Sequence, residues 1–589
     1  MSVTRRLTSV CSVVAVLAGL TTSVAHAQPA KVPVATGTGG AVATVDTNAT
    51  EAGLEVLRAG GNAVDAAVAA AAVLGVTEPF SCGIGGGGFM VIYRADQGKV
   101  TTIDHREISP AAMRPDSFWE DDAPLPFAEA RYSGMSAGVP GTVAGWASAL
   151  RKHGTMGLDK VLQPAIRVAH DGFTVDQTFA DQTQGNVDFF DDVPSSAELF
   201  LDPDGTPKDV GTTFRNPDLA RTYERIAHLG TKGFYRGAVA SAMVEAVQNP
   251  PVSEDANHAW RPGVMTTKDV RAYTSPEREP TRVSYRGLDV YGMAPPSSGG
   301  STTGEALNIL GGYDLSEMDR AEALHYYLES ARYSFADRNA YLADPEHFDV
   351  PLRGLLSPEF AAERRALIGE TASNPPVVEP GDPYPHDGGA GAGEASATVT
   401  RAGTTTHLTV GDDDGNVVSY TFTIESTGGN GIVVPGFGFL LNNELTDFNY
   451  SSLTHPNRVD GDKRPRSSMN PTIVLRNGEP YLAVGSPGGA TIITTVLQIL
   501  VDRLDLGATL PQAVAAPRAT QLNTPSTIAE PEFIDSPEAA AMRERGHTFT
   551  STSEIGAATG IEFLDDGRLM AVAEPTRRGG GSAGVVTPG

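Results

Sequence analysis

Apolar and polar residues alternate with a period of two on both sides of Asp413-Asp414-Gly415. Thr405 to Asp412 and Asn416 to Glu425 read as the two strands of a hairpin. A three-residue hairpin loop takes a left-handed residue at its last position, and Gly415 supplies it. That register pairs 412 with 416, 408 with 420 and 405 with 423. Leu408, Val410, Val418, Tyr420, Phe422 and Ile424 then share one face. Thr405, His407, Thr409, Ser419, Thr421, Thr423 and Glu425 share the other. The apolar face is expected to pack on a core, and the hydroxyl-lined face to form the wall of a polar site.

Similar patterning places the other elements. Asp46 or Thr47 caps a helix running through Leu57-Arg58 and stopped by Gly60-Gly61, and Asn62 caps a second, alanine-rich helix over Ala63 to Leu74. Helices are expected at 142–152, 159–171, 216–229, 321–343 and 490–505. Strands are expected at 88–94, 100–104, 282–293, 407–412, 416–425, 472–476, 480–485 and 559–573. Asn477-Gly478 marks a tight hairpin turn. Residues 372–403, rich in Pro, Gly, Ala and acid, read as a mobile surface segment. No internal repeat interrupts this mixture of helix and strand.

Composition narrows the function. The 589 residues suffice for a large core, and a formal charge of −27 argues against nucleic acid or an anionic membrane as partner. Residues 1–27 have the form of a secretory leader: Arg5-Arg6, an apolar run from Val10 to Leu20, and Ala25-His26-Ala27 at the cut. The run is too short for a membrane span, and no later stretch is apolar enough to be one. Thr4-Arg5-Arg6-Leu7 hints at twin-arginine export. After leader removal Cys82 is the one remaining cysteine, which excludes an intrachain disulfide and a thiolate metal site. It reads as a small buried filler.

Three stretches carry candidate chemistry. Gly403-Thr404-Thr405-Thr406-His407 lies between a flexible glycine-alanine run, 388–393, and a rigid strand. A hydroxyl residue placed there becomes a nucleophile with its own general base once cleavage frees its α-amino group. Gly83-Ile84-Gly85-Gly86-Gly87-Gly88 matches the dinucleotide fingerprint by letter, but a helix precedes it and a strand follows, the reverse of what that site requires. Close backbone approach or a tight turn accounts for its glycines. Ser486-Pro487-Gly488-Gly489 sits between a strand and a helix, where unpaired N–H groups suit either an oxyanion hole or a plain turn.

These stretches occur with others in a familiar order. Thr405-Thr406-His407, Asn442-Asn443-Glu444-Leu445-Thr446-Asp447-Phe448, Arg464-Pro465-Arg466-Ser467-Ser468-Met469 and Gly485 to Gly489 resemble the small subunit of the γ-glutamyltranspeptidases. Glu51-Ala52-Gly53, Gly60 to Ala66, Glu78-Pro79 with the glycine run, Asp104-His105-Arg106-Glu107, Gly138 to Thr142 and Pro295 to Gly300 resemble the large subunit. The likeness spans nearly everything after the leader.

The resemblance implies an α+β, four-layer αββα sandwich of the N-terminal nucleophile hydrolases, made as one precursor that cleaves itself. The cut is expected between Thr404 and Thr405, giving a large subunit of about 28–404 and a small one of 405–589. Thr405 is taken as nucleophile because Thr-His follows it and the hairpin register sets it opposite Thr423, which matches the family's second catalytic threonine. Gly488 and Gly489 match the oxyanion donors. Arg106, Ser467 and Ser468 match the residues that hold the substrate's α-carboxylate, and Glu444 and Asp447 those that hold its α-ammonium. Two departures stand out. Glu425 replaces an asparagine found in many members, adding a carboxylate near the ammonium. Asn449 to Lys463 is shorter than in members with a lid loop, so an open cleft is expected.

The implied reaction is acyl transfer from glutathione or another γ-glutamyl compound to water, an amino acid or a peptide, with no metal or organic cofactor. Poly-γ-glutamate hydrolysis, or a glutaryl-type β-lactam acylase of the same fold, is the alternative. The expected setting is extracellular.

Overall fold

The two N-terminal helices start where their caps place them. The Asp46 carboxylate accepts the Ala49 N–H at the head of Thr47–Arg58. Asn62 and Asp65 form a reciprocal capping box at the head of Ala63–Thr77. Every residue of Ala63–Thr77 is buried, because alanine lets the neighbouring layers close on it from all sides. The computed structural model describes residues 31–389, 394 and 403–587. The expected leader, 1–27, and residues 390–393 and 395–402 of the expected mobile segment lie outside the described residues.

Two seven-stranded antiparallel sheets form the centre. One runs, from edge to edge, Val34–Gly37, Leu569–Ala573, Thr559–Phe563, Glu479–Gly485, Thr472–Arg476, Leu288–Gly292 and Thr281–Tyr285. The other runs Ser582–Val585, Ala41–Thr44, Thr406–Gly411, Val417–Thr423, Gly87–Arg94, Lys99–Asp104 and Glu277–Arg278. Phe89, Val91, Val417, Ile473 and Ala483 pack between the sheets. Ala63–Thr77 and its neighbours cover the outer face of the second sheet on Leu408, Val410, Val418, Tyr420 and Phe422. Helices Gly299–Leu310, Arg320–Tyr341 and Thr491–Leu504 cover the first on Val474, Leu482 and Val484. The layers therefore run αββα. Both sheets contain strands from before and after residue 404, so a cut there leaves two chains interlocked by shared sheets.

The 405–425 hairpin has the expected register: Leu408 faces Tyr420, Val410 faces Val418, and the Asp412 N–H reaches the Asn416 carbonyl at 3.1 Å. Gly415 has φ +84°. Its polar face behaves differently from the expectation. His407 bonds Thr421 Oγ1 at 2.8 Å and Thr409 Oγ1 at 3.2 Å, and Ser419 Oγ donates to the Val484 carbonyl at 3.3 Å. In a sandwich the inner face of one sheet lies against the other sheet, so these groups satisfy one another in the dry interior. Burial holds His407 neutral, its pKa lowered to about 3. Only the end of that face, at Thr405, Thr423 and Glu425, reaches a cavity.

Other differences have local causes. The expected strand 282–293 folds back at Arg286-Gly287, both at positive φ, and 559–573 folds back before Gly567. The helix expected at 159–171 divides into Leu158–Val161 and Gln163–Asp171. Helix Gly299–Leu310 opens with Gly-Gly-Ser-Thr-Thr-Gly and owes its helicity to packing rather than propensity. Residues 372–389 are anchored, not loose. The Ser373 N–H reaches Glu329 at 3.1 Å, the Gly381 N–H reaches Asp337 at 2.6 Å, and Tyr384–Asp387 is a short helix. Among the described residues no helix is long and apolar enough to cross a membrane.

Candidate active site

The glycine run brings the site together. A Cβ at Gly85 would lie 1.9 Å from the Leu440 carbonyl oxygen, and one at Gly86 would lie 2.0 Å from that of Thr423. Only glycine admits that contact, which lets strand Gly87–Arg94 pair along the whole of Val417–Thr423. This close approach, not a nucleotide, accounts for the run. Cys82, just before it, is buried in the same core, and burial raises its thiol pKa.

Past the last paired strand residue, the chain before Thr405 stays on the sheet. The Thr404 N–H donates to the Glu425 carbonyl at 3.0 Å, and Gly403 bridges Ser426. The Thr405 hydroxyl donates to Thr423 Oγ1 at 3.2 Å, and the Glu425 N–H donates to that same oxygen at 2.8 Å. The Thr405 carbonyl accepts from Arg578 Nη1 at 2.8 Å, while Nη2 of the same arginine is held by Glu78 and Ser81. Glu425 has φ +78°, and its carboxylate accepts from Asn443 and Ser426.

A cavity of about 290 Å³ opens beside Thr405. Every residue proposed from the sequence lines it except Gly488: Thr405, Thr423 and Gly489 at one end, Arg106, Glu425, Glu444 and Asp447 on one wall, Ser467 and Ser468 on another. Gly488, at φ +134°, and Gly489, at φ +59°, join strand Glu479–Gly485 to helix Thr491–Leu504. Their backbone N–H groups have no hydrogen-bond partner among the described residues, which leaves them available to a developing oxyanion. Gly489 packs directly against Gly403, two residues before Thr405.

The charged wall is arranged more tightly than the sequence indicated. The buried Arg106 guanidinium donates to Glu444 and, at 2.6 Å, to Asp447, and its other N–H groups reach the Pro465 and Arg466 carbonyls at 3.1 Å. The residue matched to the substrate's carboxylate is thus paired with the two matched to its ammonium. Burial raises the Glu444 pKa well above the usual carboxylate range; the Arg106 charge opposes that, and Glu107, Asp447 and Glu425 reinforce it. Glu107 is buried beside them, one oxygen 3.9 Å from Arg106 Nη1, and burial raises its pKa while the Arg106 charge opposes that. The serines are oriented from behind. Ser467 Oγ accepts the Met469 N–H at 3.1 Å and Ser468 Oγ accepts from Arg338 Nη2 at 2.6 Å, so each keeps its own hydroxyl hydrogen to donate.

Sequence reasoning gave no role to Arg338, Arg466, Glu107, Asn443 and Arg578. Arg466, Glu107 and Asn443 stand inside the quoted motifs, and that membership was the available signal. Arg338 and Arg578 lie more than 100 residues from the residues they serve, and no local pattern reports such contacts.

A model of the gamma-glutamyltranspeptidase family matches residues 49–584. The chain belongs to the gamma-glutamyltranspeptidase family. It is 39% identical over 552 residues to a glutathione hydrolase proenzyme of Bacillus subtilis (strain 168), covering 92% of this chain and 91% of that protein. It is 36% identical over 550 residues to one from Escherichia coli (strain K12), covering 91% and 90%. Its fold is similar to that of a cephalosporin acylase from Bacillus halodurans, with a TM-score of 0.82, 28% identity and coverage of 95% of this chain and 98% of that one. The αββα sandwich of this γ-glutamyltranspeptidase family member is that of the N-terminal nucleophile hydrolases.

Proposed function

We propose that this chain is a secreted γ-glutamyltransferase and glutathione hydrolase that activates itself by cutting the Thr404–Thr405 bond. The Thr405 hydroxyl adds to the Thr404 carbonyl, the acyl group shifts from nitrogen to oxygen, and water hydrolyses the ester. The products are a free carboxyl at 404 and a free amine at 405. That amine then takes the hydroxyl proton as the oxygen attacks a γ-amide carbonyl, and it protonates the departing amine. The oxyanion is held by the N–H groups of Gly488 and Gly489. Water or an acceptor amine releases the glutamyl group from Thr405. Thr423 fixes the nucleophile's direction, and Arg578 fixes its carbonyl.

The observation that carries this reading is a single cavity holding the Thr405–Thr423 hydroxyl pair, the Gly489 turn and both sets of head-group residues. Purified Thr405→Ala is expected to stay one chain and to release nothing from a γ-glutamyl anilide. Wild-type protein should give two bands on a denaturing gel, the shorter one starting at Thr405. An active unbroken chain overturns the assignment.

The likeness to a cephalosporin acylase supports a second reading, cleavage of glutaryl amides. Such a substrate has no ammonium for Glu425, Glu444 and Asp447, so the γ-glutamyl anilide is expected to be preferred in a side-by-side assay. The short segment after Phe448 forms part of the cavity wall, with Tyr450 packed against Phe118, ring centroids 5.1 Å apart.

A further inference from the structure

Outside the cavity, Arg518, Glu530, Glu574 and Arg577 form a network of two arginines and two glutamates, all buried. Arg577 grips Glu530 with two parallel hydrogen bonds, Nε to Oε1 at 2.5 Å and Nη2 to Oε2 at 2.6 Å. Glu574 accepts from Arg577 Nη1 at 2.9 Å and from Arg518 Nη2 at 3.0 Å. Burial works to raise the Glu530 pKa, the bonds from Arg577 outweigh it, and the carboxyl lies below its usual value. An apolar cluster of the same volume is often as stable as such a network, so stability does not account for it.

Glu530 joins two arms. Through Arg577 it anchors the next residue, Arg578, which stands at φ +54° and whose Nη1 donates to the Thr405 carbonyl at 2.8 Å. A left-handed residue with a side chain is strained and persists only where its surroundings over-determine it. On the other arm, Glu530 Oε1 accepts the Ile555 N–H at 2.8 Å, and Gly556 follows at φ +70°. A Cβ at Gly488 would lie 3.5 Å from the Gly556 Cα, and the Ala557 N–H donates to Ser486 Oγ at 3.2 Å, so this loop backs the turn that carries Gly488. We propose that Glu530 is a positioning residue for acyl transfer, keeping the Thr405 carbonyl, through Arg577 and Arg578, in register with the Gly488 turn, through Ile555. The inference rests on Thr405 and Gly488 having the parts proposed above.

Glu574 supplies the comparison, because among the described residues its carboxylate contacts only the two arginine side chains. Glu530→Gln and Glu574→Gln should both lower the melting temperature. On cleaved protein, Glu530→Gln should lower kcat for γ-glutamyl anilide roughly ten- to hundredfold, with the calorimetric affinity for L-glutamate unchanged, because the head-group wall is untouched. Glu574→Gln should lower kcat less than about threefold. In an Arg578→Lys background the further loss from Glu530→Gln should shrink, since both act on the Thr405 carbonyl. A wild-type kcat in Glu530→Gln, an equal loss in both glutamine variants, or a parallel loss of glutamate affinity overturns the inference. Should Glu530→Gln stay uncut or melt without a cooperative transition, Arg577→Lys, which keeps the charge and breaks the paired bonds, decides, and an unchanged kcat there overturns it equally. Failure of the functional reading looks different: a wild-type chain that stays uncut or releases nothing from the anilide.

Discussion

Helix Ala63–Thr77 and helix Arg320–Tyr341 are both enclosed, one on each outer face of the sandwich, yet they are buried by opposite means. The first is alanine, valine and leucine almost throughout, and its one charge, Asp65, is met by the N–H groups of Asn62, Thr155 and Met156. The second is buried from Ala323 to Tyr341 while carrying His325, Glu329, Arg332, Asp337 and Arg338. Each of those needs a partner: His325 meets His547 at 2.8 Å, Glu329 meets Arg332 at 3.1 Å, and Asp337 meets Arg364 at 2.9 Å. Arg338 alone among these charges reaches a functional cavity, and it meets hydroxyls there instead of an acid. The apolar buried helix supports the 405–425 hairpin from behind. A charged one also lends a side chain to the site, at the cost of a network that must be complete.

The contrast breaks most sharply at Arg364. Arg364→Ala leaves Asp337 and the adjacent Glu305 buried without a counter-charge, a loss of about 3–5 kcal/mol. The loss should depend on pH. Burial already raises the pKa of Asp337 and pushes that of Glu305 well above its usual value. Groups raised in the folded state contribute stability below their unfolded pKa and lose it as pH rises through the folded one. Without the guanidinium that loss deepens, so melting curves should separate variant from wild type more widely at pH 8 than at pH 5; a constant gap would show that the arginine does not neutralise these acids. On the apolar helix, Leu74→Ala should cost about 3 kcal/mol through the cavity it leaves, equally at both pH values. The smallest effect is expected at Ala72→Gly, about 1 kcal/mol from backbone entropy alone, measured by urea titration.

The two helices also differ in how far the sequence disclosed them. Both were found from spacing, because an uninterrupted run of helix formers with a clear cap needs only local information. The hairpin register was equally legible, since period-two alternation and a left-handed Gly415 leave one solution, and the Thr405–Thr423 contact followed from it. The site residues came from motifs in family order. Their pairing did not: whether Arg106 waits for a ligand or already holds Glu444 and Asp447 depends on which loops converge. The polar hairpin face misled for the same reason, because hydroxyls facing a second sheet and hydroxyls facing water have identical sequences.

Sequence alone thus determined the family, the strand alternation that sets Thr405 against Thr423, and the residue types gathered at the site. These rest on local sterics and on short motifs. The tertiary structure alone decided which of those charges are already matched within the protein. Electrostatic balance is a property of distances and burial between segments far apart in sequence, and Arg338 beside Ser468 and Arg578 beside Thr405 are its clearest cases.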